Sequence, residues 1–192
     1  MTDDIVDRIV EVTPELDALR RRRPVTREQL QASFDALFQP VSVEHVSQAE
    51  RELVAAFAAG LAGAGDPTAV FYAARAREAD PERAGVVLAE AAAASTSGPF
   101  GAYTELGLQA ENTEGKRYVP SDAVTAALGE RLAAALAQTH LLVFRPREAT
   151  GDDLGRLLDA GWSTDGIVTL SQLVSFLAFQ QRVVTGLRVL AA

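Results

Sequence analysis

The sequence predicts an all-α fold, and three observations carry that prediction. Alanine, leucine, arginine and glutamate dominate the 192 residues, and all four are good helix formers. Hydrophobic residues make up 48% of the chain but aromatics only 6%, so helices must meet largely through small and aliphatic side chains. Apolar residues recur three and four apart in one stretch after another, which is the spacing of a helix face. The length suits one helical domain, 39–192, preceded by a helical extension, 1–38, that docks on the core or on a neighbouring subunit.

The extension reads as two or three short helices. Thr26 and Gln29 in "TREQ" have capping-box spacing. Leu30, Phe34, Leu37 and Phe38 follow as an apolar stripe that must be covered by the chain's own core or by another subunit. Residues 40–50 read as a connector into a helical hairpin. Leu53, Val54, Phe57 and Leu61 form the apolar face of its first helix. "GLAGAGDP" (60–67) ends that helix, because glycine favours turns and proline keeps the preceding residue out of the helical region. The second helix, 67–78, is expected to turn Val70, Ala74 and one of Phe71 and Tyr72 inward, and a further helix follows over 81–94.

Residues 95–122 break the pattern with four glycines and two prolines. A segment of that length without a helical period is a lid, a binding loop or a surface excursion, and Phe100 and Tyr103 are its candidate pocket or lid residues. Helices resume over 123–144. Thr150 caps a short helix over 152–160, which Gly161 ends. Ser163 starts the longest helix. Its apolar positions, from Ile167 through Leu173 and Val174 to Leu187, cover a face wide enough for contact on two sides, in a bundle centre or at a subunit interface.

Composition excludes several classes of function. A formal net charge of −8 argues against nucleic acid, whose phosphates require a surplus of cations. The basic run Arg20 to Arg23 reads as a solvated helix end complementing the dipole. Without cysteine there is no disulfide, no thiolate metal site and no thiol nucleophile. The acidic start "MTDDIVDRIVEV" lacks the layout of a secretory signal, and no apolar run of about 18 residues is free of polar groups. No membrane segment is therefore expected, and the cytoplasm is the expected location. His45 and His140 lie too far apart for metal-ligand spacing, no G-x-S-x-G surrounds a serine, and no glycine-rich turn suits a nucleotide. Neither metal nor cofactor is expected.

One segment resembles a known family. "LGRLLDAGWSTDGIVTLSQLVSFLAFQQRVVTGL" is similar to the closing part of alkylhydroperoxidase-D-like (AhpD-like) proteins, the superfamily that includes the carboxymuconolactone decarboxylases. The likeness lies in a short helix, the turn of Ala160, Gly161, Trp162, Ser163 and Ile167, and a long helix carrying Phe176, Phe179 and Arg182. "ERLAAALAQTHLLVFRP" resembles the family helix before it, and the likeness runs from about Val41 to the C-terminus. It implies an AhpD-like helical fold assembled as a homo-oligomer, within a cysteine-less subgroup of carboxymuconolactone-decarboxylase-domain (CMD) proteins.

The resemblance also implies what is missing. Peroxidase members carry a glutamate, a Cys-x-x-Cys pair and a following histidine. On the hairpin these positions fall at Glu52, Ala64, Pro67 and Phe71, so only the glutamate remains. Thiol peroxidases need a thiolate to attack peroxide and a second thiol to resolve the product, which excludes that activity for this chain.

Whether the chain is an enzyme stays open at this point. A decarboxylase-like reaction on a small organic acid or lactone needs a base, an acid and a cation for the carboxylate, and the candidates are Glu52, His140 and Arg182. His140 follows Leu132 and Leu136 on one helical face and should point inward, as a core histidine or as a catalyst. Arg182, if it faces inward, needs a carboxylate, which Glu52 itself could supply as a structural pair. The other reading is a degenerate relative that binds or scaffolds a partner, with an antioxidant role exercised through a cysteine-containing, peroxidase-related protein.

Overall fold

A computed structural model describes residues 4–191, and among them it contains ten α-helices and no β-strand. The chain is all-α. The extension forms α1 (Ile5–Val10), α2 (Pro14–Arg20) and α3 (Pro24–Phe38). The hairpin is α4 (Gln48–Gly60) and α5 (Pro67–Ala79), followed by α6 (Pro81–Ala94). After a long loop come α7 (Asp122–Leu128), α8 (Glu130–Phe144), α9 (Gly151–Asp159) and α10 (Thr164–Ala191).

Local chemistry fixes most of these boundaries. Ser47 and Glu50 form a reciprocal capping box at the start of α4. Asp66 and Asp80 accept from the first amides of α5 and α6, and in each helix a proline follows at the first position, where its missing N–H costs nothing. Thr150 donates from both its amide and its hydroxyl to the Asp153 carboxylate at the start of α9. The stretch 123–144 is two helices rather than one, because Gly129 sits at φ +81°, a left-handed conformation that breaks the ladder between α7 and α8. Gly161, at φ +89°, ends α9 as its position suggests. Thr26 is not a cap: α3 begins two residues earlier, with Pro24 at its first turn and no side-chain cap.

Helix α4 is the hub. Every residue from Arg51 to Gly60 is buried, and α5, α6, α8 and α10 pack around it. A helix closed on all sides suits this sequence, since Ala55, Ala56, Ala58 and Ala59 let neighbours approach from every direction. The approach is closest at Gly60, where a Cβ would stand 2.9 Å from the Ala91 methyl of α6.

Two expectations about helix faces need correcting. In α5 the inward residues are Ala69, Tyr72, Ala73 and Ala76, while Val70 is 57% exposed and Ala74 is exposed as well. Tyr72 is fully buried and reaches Gln180 of α10 through its hydroxyl, and Phe71 is left half-buried at the margin. In the basic run, Arg20 is buried rather than solvated: it bridges Asp4 and Asp7, while Arg27 reaches Asp4, Asp7 and Asp17. This network, which Arg21 joins through Asp17, fastens α1 to α2 and α3.

The stripe Leu30, Phe34, Leu37 and Phe38 is buried within the chain's own core, and α3 packs on α4 and α10. Helix α10 buries Ile167, Leu170, Leu173, Val174, Phe176, Leu177 and Val184 against α4, α8 and the extension. Phe179, Val189 and Leu190 remain exposed. At 28 residues, α10 is long and apolar enough to cross a membrane by length and composition alone, although polar residues interrupt its apolar run. Here it serves as a packing helix of the bundle.

Candidate functional site

The hairpin places Glu52 at the inner end of α4, 3% exposed, and the structure uses it fully. Arg75 of α5 donates to it twice, from Nε at 2.8 Å and from Nη2 at 2.5 Å, and Gln48 adds a third bond at 2.7 Å. The Arg75 guanidinium lies 5.3–5.6 Å from the ring centres of Phe34, Phe38 and Phe71. A carboxylate this deeply buried, with a bidentate arginine beneath three aromatic rings, is a neutralised structural pair. Arg75 was not singled out from the sequence, although it sits one turn after Phe71 and Tyr72 on a helix of small residues.

His140 belongs to a different place. It lies on α8, 1% exposed, with Tyr118 and Phe144 as ring neighbours at 5.7 and 4.9 Å. The backbone of Ala94 at the end of α6 lies beside the imidazole and favours its proton, while Nε2 is buried with no hydrogen-bond partner. Burial holds the imidazole below its usual pKa against the effect of Ala94, and nearby Lys116 and Arg145 push in the same direction as burial. The ring is therefore neutral at neutral pH.

His140 borders a cavity of about 480 Å³ between α8 and the last part of the 95–121 loop. Ala133, Ala134, Ala137 and Leu141 of α8 form one wall, Tyr118 to Pro120 the facing wall, and Leu157 of α9 closes an end. Of the charged groups around it, Arg117, Arg145, Asp153 and Arg156 are paired, and Glu130 stands exposed at the margin. Arg145, 2% exposed, grips Glu148 with two bonds of 2.6 and 2.8 Å, and Arg117 shares the same carboxylate at 2.8 Å. The Arg145 bonds, together with the Ala102 amide, hold Glu148 down to a pKa of about 2. Arg156 pairs with Asp153. Tyr118 turns its hydroxyl away from His140 and donates to Glu90 at 2.8 Å.

The loop lines this cavity through Tyr118, not through the two aromatics singled out in the sequence. The Phe100 ring packs on Phe144 and over Gly115, where a Cβ would come within 2.4 Å of the ring. Tyr103 lies under Arg147, with the guanidinium 3.9 Å from its ring centre. Both are anchors that tie the loop to the end of α8, and neither lines the cavity. "GPFGAY" attracts notice as aromatics between glycines, whereas Tyr118 hides in "KRYVP"; the only signal there is an aromatic beside two apolar residues that are not helical.

Arg182 faces outward on α10 and donates to the Ala178 carbonyl of its own helix at 2.8 Å. The three polar candidates therefore do not share partners: Glu52 is closed by Arg75, Arg182 is on the surface, and His140 alone borders a cavity. One further polar cluster joins Ser163 Oγ to His45 Nδ1 at 3.1 Å and His45 Nε2 to Asp165 at 3.5 Å. Its serine accepts from the Gly166 amide as the cap of α10, and His45 and Asp165 are exposed, so it reads as bracing between the connector and the helix. Among the described residues no three His, Asp or Glu side chains are grouped for a metal ion.

Comparison with known proteins adds no family to this geometry. No model of a known protein family matches the sequence, and no curated protein is similar to it beyond chance.

Proposed function

We propose that this chain is a redox-silent relative of the AhpD-like, carboxymuconolactone-decarboxylase-domain proteins, and that it acts by binding rather than by turnover. In this reading it holds a second copy of itself or a cysteine-containing, peroxidase-related partner. The observation that carries it is the state of Glu52. The one residue of the superfamily's redox constellation that the chain retains is buried and committed to Arg75 and Gln48, in a protein without a thiol. The order α8, α9, Gly161 in a left-handed turn, then the long α10 agrees with the layout on which the resemblance rests. Exposed Phe179, Val189 and Leu190 on α10 supply apolar surface for assembly.

Two measurements test the proposal together. The purified chain should consume no hydroperoxide in the presence of a dithiol reductant, and light scattering after gel filtration should give a mass above that of one chain. Co-expression with a Cys-x-x-Cys-bearing member of the superfamily should yield a co-eluting complex. Peroxide reduction by the chain alone, or a strict monomer that binds no such relative at micromolar concentration, overturns it.

A second reading is favoured by one observation. In this reading His140, beside a cavity, acts as the base toward a small organic acid or lactone. It then works without Glu52 and Arg182, and His140→Gln should abolish turnover while leaving the fold intact.

A further inference from the structure

The cavity between α8 and the 95–121 loop has walls that specify an occupant. Its body must be apolar: Ala133, Ala134, Ala137, Leu141 and Leu157 offer methyl and methylene surface. A volume of about 480 Å³ has ample room for a ring with an aliphatic chain. Rim residues Val119, Arg117 and Arg156 are largely exposed, so the cavity communicates with solvent.

The polar groups narrow the choice. Each guanidinium at the rim or end already holds a carboxylate: Arg117 and Arg145 share Glu148, and Arg156 holds Asp153. None therefore requires an anionic ligand. The Tyr118 hydroxyl is engaged with Glu90. His140 Nε2 is the wall's one buried side-chain atom without a partner among the described residues. We assign the imidazole proton to the other ring nitrogen, on the side of the Ala94 backbone, so that Nε2 presents a lone pair and accepts only. Leaving such an acceptor unpaired in an apolar surround costs free energy that a donor recovers.

We propose that this cavity binds a neutral, mainly apolar molecule bearing a hydroxyl, a phenol or comparable alcohol, whose O–H donates to His140 Nε2. Tyr118 is both a wall of the cavity and a ring neighbour of His140, so its displacement admits the hydroxyl. The Tyr118 hydroxyl bond to Glu90 on α6 fixes the closed position. The site is independent of the scaffolding reading, and either can fail without the other.

The test uses three matched probes, 4-propylphenol, its methyl ether 4-propylanisole and 4-propylbenzoate, titrated into the intact chain by calorimetry. The phenol should bind about 10-fold more tightly than the ether, the worth of one buried hydrogen bond. His140→Phe, which keeps a flat ring beside Phe144, should bind phenol and ether alike. Should that variant fail to fold, two further readouts remain. Ala137→Phe, which fills the cavity from its half-buried wall, should remove binding of all three probes. In wild-type protein labelled with 15N-histidine, the Nε2 resonance of His140 should shift as phenol is added, while exposed His45 serves as the internal reference. Equal affinity for phenol and ether, preference for the benzoate, no binding of any probe, or phenol binding with an unmoved His140 Nε2 each overturns the proposal.

Discussion

Replacing Arg75 by alanine tests whether Glu52 is structural or available for chemistry. The substitution removes two charge-assisted hydrogen bonds, at 2.8 and 2.5 Å, from a carboxylate whose side chain is 4% exposed. Gln48 alone remains to satisfy it. Removing one partner of a buried pair costs about 3–5 kcal/mol, because the other charge stays buried. The arginine's own side chain is 31% exposed, which places the expectation at the lower end, about 3 kcal/mol including its contacts with Phe34, Phe38 and Phe71. For a chain of this size that is a fall in Tm of about 6–12 °C, or a urea midpoint lower by about 1–1.5 M at unchanged slope. Glu52→Gln should cost a similar amount, and the double variant Glu52→Leu, Arg75→Met should recover most of the loss, since packed apolar residues often replace a buried pair without penalty. The assay is urea unfolding followed by circular dichroism, assembled as a double-mutant cycle. A cost below about 1 kcal/mol for Arg75→Ala would refute the reasoning: the carboxylate would then be solvated or otherwise free, and Glu52 would return as a candidate acid or base.

Three further outcomes are expected. Tyr72→Phe strands Gln180, whose Oε1 accepts from the tyrosine hydroxyl at 2.8 Å and whose Nε2 already lacks a partner; it should cost about 1–2 kcal/mol, and adding Gln180→Leu should restore most of it in denaturant titrations. Gly60→Ala gains helix propensity but drives a methyl to 2.9 Å from Ala91, so a net loss of about 1 kcal/mol is expected in thermal melts, returning to near wild type in the double variant with Ala91→Gly. Burial pushes the Asp4 carboxyl up, but bonds from Arg20, the Asp7 amide and Arg27 together hold it below its ordinary value. A depressed carboxylate stabilises the fold above its unfolded pKa and ceases to as pH falls through the folded one, so hydrogen exchange over Ile5–Val10 should accelerate below about pH 4. Asp4→Asn should show that exchange at neutral pH as well.

Much of the helical frame was legible because its signals are local. Asp66-Pro67 and Asp80-Pro81 announce helix starts, Gly161 announces a stop, and the stripe Leu30 to Phe38 announces burial, all within one or two turns of chain. Phase within α5 was harder, since Val70, Phe71 and Tyr72 offer three overlapping apolar faces and only the neighbours decide among them. The candidate site was less legible still. Inward placement of His140 followed from Leu132 and Leu136, yet its companions come from residues distant along the chain: Tyr118 in a loop, Ala94 at the end of α6 and Leu157 in α9. Arg75 as the partner of Glu52 lies 23 residues away, across a turn whose geometry no spacing rule encodes.

Sequence by itself determined that this protein is helical, that it has no thiol and therefore no cysteine chemistry, and that the face Leu53, Val54, Phe57 and Leu61 is apolar. Those conclusions rest on composition, absence and 3.6-residue periodicity, which hold whatever the tertiary arrangement. Tertiary structure alone decided which charges are spent and which polar atoms are left over. Glu52 and Arg20 are neutralised by partners brought from other elements, while His140 Nε2 is left unpaired beside an apolar cavity. Pairing and desolvation are properties of distances between segments, and those distances exist only once the helices have packed.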